Sequence, residues 1–344
     1  MSKDVLIFGA GSVGAHHANA CRFFNFNVFI TDIKTSQISY FKNRLYPSRY
    51  ESWDNKIKLL NYKNIFKIKK KFDLIIVATS PINHLKVLFK INKNLKYKKI
   101  LIEKPIFVFN QIKAAEKLAP NKRKKVFCGF NHELSQSIIF LKKYIAKNKK
   151  DINKINIYWK ESFYYLLKAH PWIKSLNNTY LSNVSIGGGS LHEFSHAVHL
   201  MNNFNNLLFG KKKFKFKADI KFTKFKNKKF DNLSKILCFD SKKKIAAEIN
   251  CTDKPPIKMI KIFGKKEICT WQRDQMYGKE IVIIKKKFKI VFKKVFFFDR
   301  PSDFINQIKK LFSKKKNDIK YLKCNNFRNS LETTKLINRC LKNI

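Results

Sequence analysis

The sequence predicts an α/β domain on a doubly wound parallel sheet, followed by an α+β domain with a large, mostly antiparallel open sheet. Three observations lead there. Over the first 130 residues, short apolar runs alternate with helix-length segments, the texture of a parallel sheet with helical crossovers. From about residue 150 the runs follow one another with few helices between, the texture of antiparallel strands. Six of only ten glycines fall in two clusters, at 9, 11, 14 and at 187, 188, 189, marking backbone with no room for a Cβ.

Taken in order, Asp4–Phe8 is a short apolar run that leads into Gly-Ala-Gly-Ser-Val-Gly. A helix over Val13–Phe24 and a strand over Asn27–Thr31 follow. Asp73–Thr79 reads as a buried strand, and Ile82 to about Lys93 as the helix after it. Lys99–Glu103 and Val126–Phe130 are further strands, with a helix between them. In the second half, Lys154–Phe163, Phe214–Phe225, Lys235–Phe239, Lys244–Cys251, Ile257–Phe263, Lys266–Trp271, Glu280–Ile284 and Phe288–Phe292 read as strands. Helices are expected near Ser190–Asn203, Asp303–Phe312 and Ser330–Leu341. The expected division is 1–128 and 129–344, with the last helices free to pack back on the first domain.

Bulk properties narrow the class. A chain of 344 residues with 44% hydrophobic residues can bury two real cores. No stretch approaches the roughly 18–20 consecutive apolar residues of a membrane helix. The apolar run at the N-terminus stops at glycines, so no signal peptide is expected. Seven scattered cysteines without a Cys-x-x-Cys pair read as reduced thiols in a cytoplasm. The formal net charge of +51 points toward polyanions. However, the lysines are spread along the whole chain and are inflated together with Asn, Ile and Phe, as an AT-rich coding bias produces. Neither a specific nucleic acid nor a membrane is therefore expected as partner, although weak salt-dependent sticking to polyanions is. A basic surface also helps to draw in an anionic substrate.

The first glycine cluster has the context of a dinucleotide fingerprint, because it follows a strand and opens a helix. Gly9 permits the tight turn, Gly11 lets backbone approach a pyrophosphate, and Gly14 allows close helix–strand packing. Ser12 and Val13 start the helix whose N–H groups and dipole favour an anion. Asp32 lies at the end of the second strand. Its carboxylate would accept the ribose hydroxyls and repel a 2′-phosphate, favouring NAD over NADP, with Lys34 slightly blurring that preference. Thr79, Ser80 and Pro81 close the next strand, where strand ends line the ligand crevice. His84 can touch the cofactor or pack on its helix, and alone it favours packing. Glu103-Lys104-Pro105 ends another strand, and the Lys104 ammonium could hydrogen-bond a reacting oxygen.

The second cluster runs into Ser190-Leu191-His192-Glu193-Phe194-Ser195-His196. It contains His-Glu-x-x-His, the form of a zinc-protease helix. A third ligand is missing, since His199 is the last histidine and the next acidic residue is Asp219; no metal is expected. Redox chemistry fits better: oxidising an alcohol requires a base for the hydroxyl proton, and an imidazole titrates near neutrality. On one helix, Glu193 and His196 would be i, i+3 neighbours on a shared face. All eight histidines precede residue 200, which makes the C-terminal strands read as scaffold and interface.

Together these motifs resemble the Gfo/Idh/MocA oxidoreductases. The resemblance rests on the fingerprint followed by His17-Ala18, Ala78-Thr79-Ser80-Pro81 with His84, Glu103-Lys104-Pro105, Gly129-Phe130-Asn131, and the glycine turn before an acid and a histidine. Within that family, His170-Pro171-Trp172, Tyr180 and the Gly-Gly-Gly segment are similar to members of surface-polysaccharide and nucleotide-sugar metabolism. The resemblance implies a Rossmann domain plus an α+β domain whose sheet face joins two or four copies. It implies an NAD(P)-dependent sugar oxidoreductase acting on CH–OH groups. Lys104 and His196 would be the catalytic pair, Glu193 the supporting acid, and Glu103 and Lys104 part of the cofactor site. Asn131, His170, Trp172, Tyr180 and His192 would line the sugar pocket. Two departures stand out: many members place Asp four residues before the histidine, a spacing held here by His192, and Ala15 follows the third glycine. The rival expectation is an NAD-binding protein of the same fold without turnover.

Overall fold

The computed structural model describes residues 2–168, 175–210, 214–225 and 227–342. The chain divides into two compact units. The first comprises Met1–Phe107, Gln111–Asn131 and Arg300–Leu331, the second Val108–Asn110, His132–Asp299 and Glu332–Ile344. Residues 300–331 group with the first unit and residues 332–344 with the second.

The first unit is built on six parallel strands: β1 (Asp4–Phe8), β2 (Asn27–Asp32), β3 (Ile57–Asn61), β4 (Lys71–Val77), β5 (Lys96–Ile102) and β6 (Val126–Cys128). Their order is β3-β2-β1-β4-β5-β6, which reverses direction beside β1 as a doubly wound sheet does. β1 is central and wholly apolar after its first residue, with Val5 opposite both Val28 and Leu74. One side of the sheet packs Ala15, Ala18 and Cys21 with Phe304, Ile308 and Leu311 from the helix Arg300–Phe312. The other side packs Phe8, Ile75 and Ile100 with Leu88 and Ile91. β3 is absent from the sequence expectation. It is an edge strand in which only Ile57 is fully buried, and its apolar residues Ile57, Leu59 and Leu60 are interrupted by Lys58 and bounded by Lys56 and Asn61.

The second unit holds eight strands: β7 (Ile152–Lys160), β8 (Lys215–Phe225), β9 (Lys228–Phe239), β10 (Lys244–Asn250), β11 (Ile257–Gly264), β12 (Glu267–Asp274), β13 (Lys279–Lys286) and β14 (Lys289–Phe297). They form one sheet in the order β14-β13-β12-β11-β7-β10-β9-β8. Every neighbouring pair is antiparallel except β7 with β10. The helices Gln136–Lys147 and Ser195–Leu208 contribute Ile138, Leu141, Val198 and Phe204 to its core, around Trp159 and Trp271. The former starts where the Ser135 hydroxyl accepts from the Ile138 N–H, an ordinary N-cap.

One expectation is overturned. The single helix expected over Ser190–Asn203 is two, Gly189–Glu193 and Ser195–Leu208, broken at Phe194 with φ −96° and ψ 31°. The break lets Phe194 bury its ring against Phe163, with centroids 6.0 Å apart. Among the described residues no helix is long and apolar enough to cross a membrane. All seven cysteines are free thiols.

Candidate active site

In the first unit, β1 delivers the chain into the glycine turn. Gly9 sits at φ +108°, and a Cβ there would stand 2.7 Å from the Ala78 carbonyl carbon. Gly14 lies under the Gly9 carbonyl. By contrast, a Cβ on Gly11 would meet no atom within 4 Å. The helix Ser12–Phe23 begins at Gly11 without a side-chain cap, leaving its first N–H groups to an outside acceptor. Asp32 is bound into this turn: one carboxylate oxygen accepts from the Ala10 N–H at 2.9 Å, the other from the Lys34 N–H at 3.0 Å. Thr79 follows β4, and its hydroxyl oxygen is buried without a hydrogen-bond partner among the described residues. Ser80 accepts from the Asn83 amide at 2.9 Å, just before Pro81 starts the next turn. Turn, uncapped helix, carboxylate and Thr79 hydroxyl together suit a dinucleotide's pyrophosphate and ribose.

His84, a candidate cofactor contact, is fully buried. Its Nε2 faces the Thr79 carbonyl at 2.9 Å, and its Nδ1 faces the Pro105 and Ile106 carbonyls at 3.0 and 3.2 Å. Burial pulls its pKa below the usual histidine value, although the three carbonyls and Glu103 favour the charged form. It packs, and is enclosed by protein. Glu103 is likewise turned inward. It meets His17 Nε2 at 2.7 Å in a buried pair and accepts from the Lys104 N–H at 3.2 Å. Gly129 lies against that carboxylate: a Cβ on it would stand 2.6 Å from the Glu103 carboxyl carbon. The Lys104–Pro105 peptide is cis. Asn131 opens the short turn Asn131–Leu134 just after β6.

In the second unit, the triple glycine serves packing. Gly187 takes the left-handed conformation that ends the turn Val184–Ile186. A Cβ on Gly188 would stand 2.7 Å from the Leu181 carbonyl carbon, and one on Gly189, at φ +84°, 2.8 Å from the Asp231 carboxyl carbon. Asp231 reaches across from β9 to accept from the Ser190 hydroxyl at 2.6 Å and the Leu191 N–H at 2.8 Å, capping the helix from 40 residues away. Burial pushes its carboxyl up to about 6, against those donors.

The same helix carries His192 and Glu193. His192 is fully buried, with Nδ1 on the Gly188 carbonyl at 3.1 Å, and burial pulls its pKa down to about 4. The ring is enclosed by protein. Glu193 accepts from the Tyr180 hydroxyl at 2.8 Å. Because the helix breaks at Phe194, Glu193 and His196 do not share a continuous helical face, and neither do His192 and His196. His196 instead lies edge-on to His132, with centroids 4.5 Å apart, and stacks over Trp159 at 6.2 Å. His170 and Trp172 lie outside the described residues.

Around His196 the structure assembles residues that the sequence reading passed over. Arg273 donates to His132 Nδ1 at 3.0 Å. Arg273 also pairs with Glu280 at 2.6 Å, both side chains almost fully buried. Glu280 accepts from the Ser137 hydroxyl, which accepts in turn from the Trp271 indole at 2.8 Å. Lys258, paired with Glu161 at 2.8 Å, stands 5.4 Å from the Trp159 ring. A signal existed: Arg273 falls in phase with the buried Cys269 and Trp271, and Glu280 with Val282. Two charges on the inward face of adjacent strands announce a buried pair. Among the described residues, no three His, Cys, Asp or Glu side chains gather as a metal site.

Comparison with known proteins adds to this geometry. A family model described as an oxidoreductase family with an NAD-binding Rossmann fold matches residues 3–130. No curated protein matches the chain by sequence. Among solved structures, it is similar to an inositol dehydrogenase homologue from Azotobacter vinelandii complexed with NAD+ (TM-score 0.72, 11% identity, 99% of this chain and 95% of that one). It is similar also to a levoglucosan dehydrogenase complexed with NADH (0.71, 13%, 100% and 96%). A third is a 3-ketoreductase from Actinomadura kijaniata complexed with TDP-benzene and NADP (0.69, 11%, 99% and 98%). At such identities the likeness is one of fold.

Proposed function

Residues 3–130 belong to the Gfo/Idh/MocA oxidoreductase family, and on that premise we propose an NAD-dependent enzyme acting on a sugar or sugar derivative. The reaction is hydride transfer at a hydroxyl-bearing or keto carbon. The observation that carries the proposal lies in the first unit, where the fingerprint turn after β1 and the Lys104 turn after β5 are joined through the His17–Glu103 bond. A nucleotide cradle and a cation fixed to the same sheet suit chemistry on a polarised oxygen.

When bound, a nicotinamide would supply the hydride acceptor or donor. The turn Gly9–Gly14, Asp32 and Thr79 would hold the dinucleotide. In the oxidation direction, Lys104 donates a hydrogen bond to the reacting hydroxyl oxygen and stabilises its negative charge as the proton leaves. By the family resemblance, His196 would receive that proton while the carbon–oxygen double bond forms. Glu193, held by the Tyr180 hydroxyl, would be the supporting acid that the resemblance implies. Asn131, Tyr180, His170 and Trp172 are proposed to contact the sugar. The setting in surface-carbohydrate biosynthesis, the cytoplasmic location and a homo-oligomer of two or four copies rest on sequence resemblance and thiol content.

Titration of the protein with NADH and separately with NADPH, read by energy transfer from its tryptophans, is the first test. Micromolar binding with NADH at least ten-fold tighter is expected, because the Asp32 carboxylate repels a 2′-phosphate. A screen of sugars and polyols then follows, with Lys104→Ala expected to lose at least 100-fold in kcat. Binding of neither nucleotide, or full turnover by Lys104→Ala, would refute the reading.

A further inference from the structure

Resting on that reading, we infer that His17 and His84 are positioning residues that hold the Lys104 turn from its two sides. Both imidazoles are fully buried, so neither touches substrate. His17 sits on the fingerprint helix Ser12–Phe23 and grips the Glu103 carboxylate at 2.7 Å; the other oxygen of that carboxylate accepts the Lys104 N–H at 3.2 Å. On the far side, His84 faces the Pro105 carbonyl at 3.0 Å and the Ile106 carbonyl at 3.2 Å. Its second nitrogen faces the Thr79 carbonyl at 2.9 Å, at the end of β4. Residues 103, 105 and 106 are thus tied down on both sides of Lys104.

Three further facts suit this role. The missing Cβ of Gly129 makes room for the Glu103 carboxylate. Phe304 closes over the edge of the His17 ring, with centroids 4.9 Å apart, holding the ring in the plane that points Nε2 at Glu103. And His17 stands one turn past Gly14 on the helix that opens at the nucleotide turn. Through His17 and Glu103, the helix that would receive the pyrophosphate and the lysine that would meet the substrate are two ends of one hydrogen-bonded path. A misplacement of about 1 Å at such a group is enough to cost on the order of 100-fold in rate.

Two substitutions at His17 separate positioning from packing. His17→Gln keeps a side-chain N–H near the Nε2 position and is expected to retain kcat within about three-fold. His17→Leu fills similar volume without a donor. Its kcat is expected to fall at least 30-fold while the NADH dissociation constant and the KM for sugar move less than three-fold. His84→Phe is expected to behave like His17→Leu. Independently of turnover, hydrogen exchange at the Lys104 amide should quicken at least ten-fold in His17→Leu, stay near wild type in His17→Gln, and leave β4 and β5 unchanged. Equal losses in the Gln and Leu variants, nucleotide affinity falling in step with kcat, or unchanged exchange at Lys104 would overturn the assignment. If wild type binds NADH yet turns over no sugar, the hydride-transfer reading fails, and the exchange measurement still decides whether His17 holds Lys104.

Discussion

The two glycine clusters look alike in sequence and are built for opposite purposes. Each precedes a helix, and each contains a glycine in the left-handed region, Gly9 at φ +108° and Gly189 at φ +84°. At the first, the middle glycine, Gly11, has no protein atom within 4 Å of where a Cβ would stand, and its helix has no side-chain cap. At the second, Gly188 and Gly189 press on the Leu181 carbonyl and the Asp231 carboxylate, and Asp231 has already taken the helix N–H of Leu191. One turn keeps its donors for a ligand, whereas the other has spent them on the chain itself. A glycine cluster therefore announces a close approach without saying of what.

The contrast can be broken most forcefully at Gly189. Gly189→Ala puts a Cβ into the Asp231 carboxylate from a left-handed backbone, and should cost about 3 kcal/mol or more. A thermal melt should show Tm lower by roughly 6–12 °C, with NADH affinity unchanged; an unaltered melt would remove the packing role assigned to that turn.

Asp231→Asn sharpens the same side of the comparison through pH. Burial raises the folded-state pKa from an ordinary 3.8 to about 6. The contribution of Asp231 to stability is therefore fully present below pH ~4 and is lost as pH rises through 6. The asparagine variant has no such loss. Relative to wild type it should gain up to about 3 kcal/mol between pH 4 and pH 7 in urea unfolding. A constant difference across that range would mean Asp231 stays ionised throughout.

The smallest effect is expected at Gly11, and of opposite character. Gly11→Ala meets no protein, so its melt should match wild type within about 0.5 kcal/mol. NADH should bind about 10–100-fold more weakly, ~1.4–2.7 kcal/mol, because the added methyl occupies the approach to the turn. Unchanged binding would show that nucleotide does not pass over Gly11.

How far the sequence could be read follows the same division. β1 was legible to the residue because an uninterrupted apolar run ends at Gly9, and the eight strands of the second sheet were all visible as alternating or apolar runs. β3 was not, since Lys58 splits its short apolar stretch and polar residues bound it on both sides. The break at Phe194 was invisible because the segment keeps helical spacing throughout, and a core pocket beside Phe163 overrides that local preference. Of the candidate site, the groups on one strand end or one turn were legible: the glycines, Asp32 and Lys104. Those defined by partners far along the chain were not, as with His17 on Glu103, Asp231 on Ser190, and Arg273 on His132. Spacing in sequence carries no record of such meetings.

The grouping of residues 300–331 with the first unit has a consequence for how the protein is made. Phe304 stacks on His16 at 4.9 Å, and Ile308 and Leu311 pack with Ala15, Ala18 and Cys21. Roughly 170 residues of the other unit are translated before those side chains leave the ribosome, a delay of ~10–30 s at ordinary elongation rates. Throughout that interval the outer face of the fingerprint helix is uncovered, an apolar stripe open to misassembly or to a chaperone. A nascent chain released at residue 131 would hold every glycine of the nucleotide turn and still lack the cover over its helix, so the first unit to begin folding is also among the last to be finished.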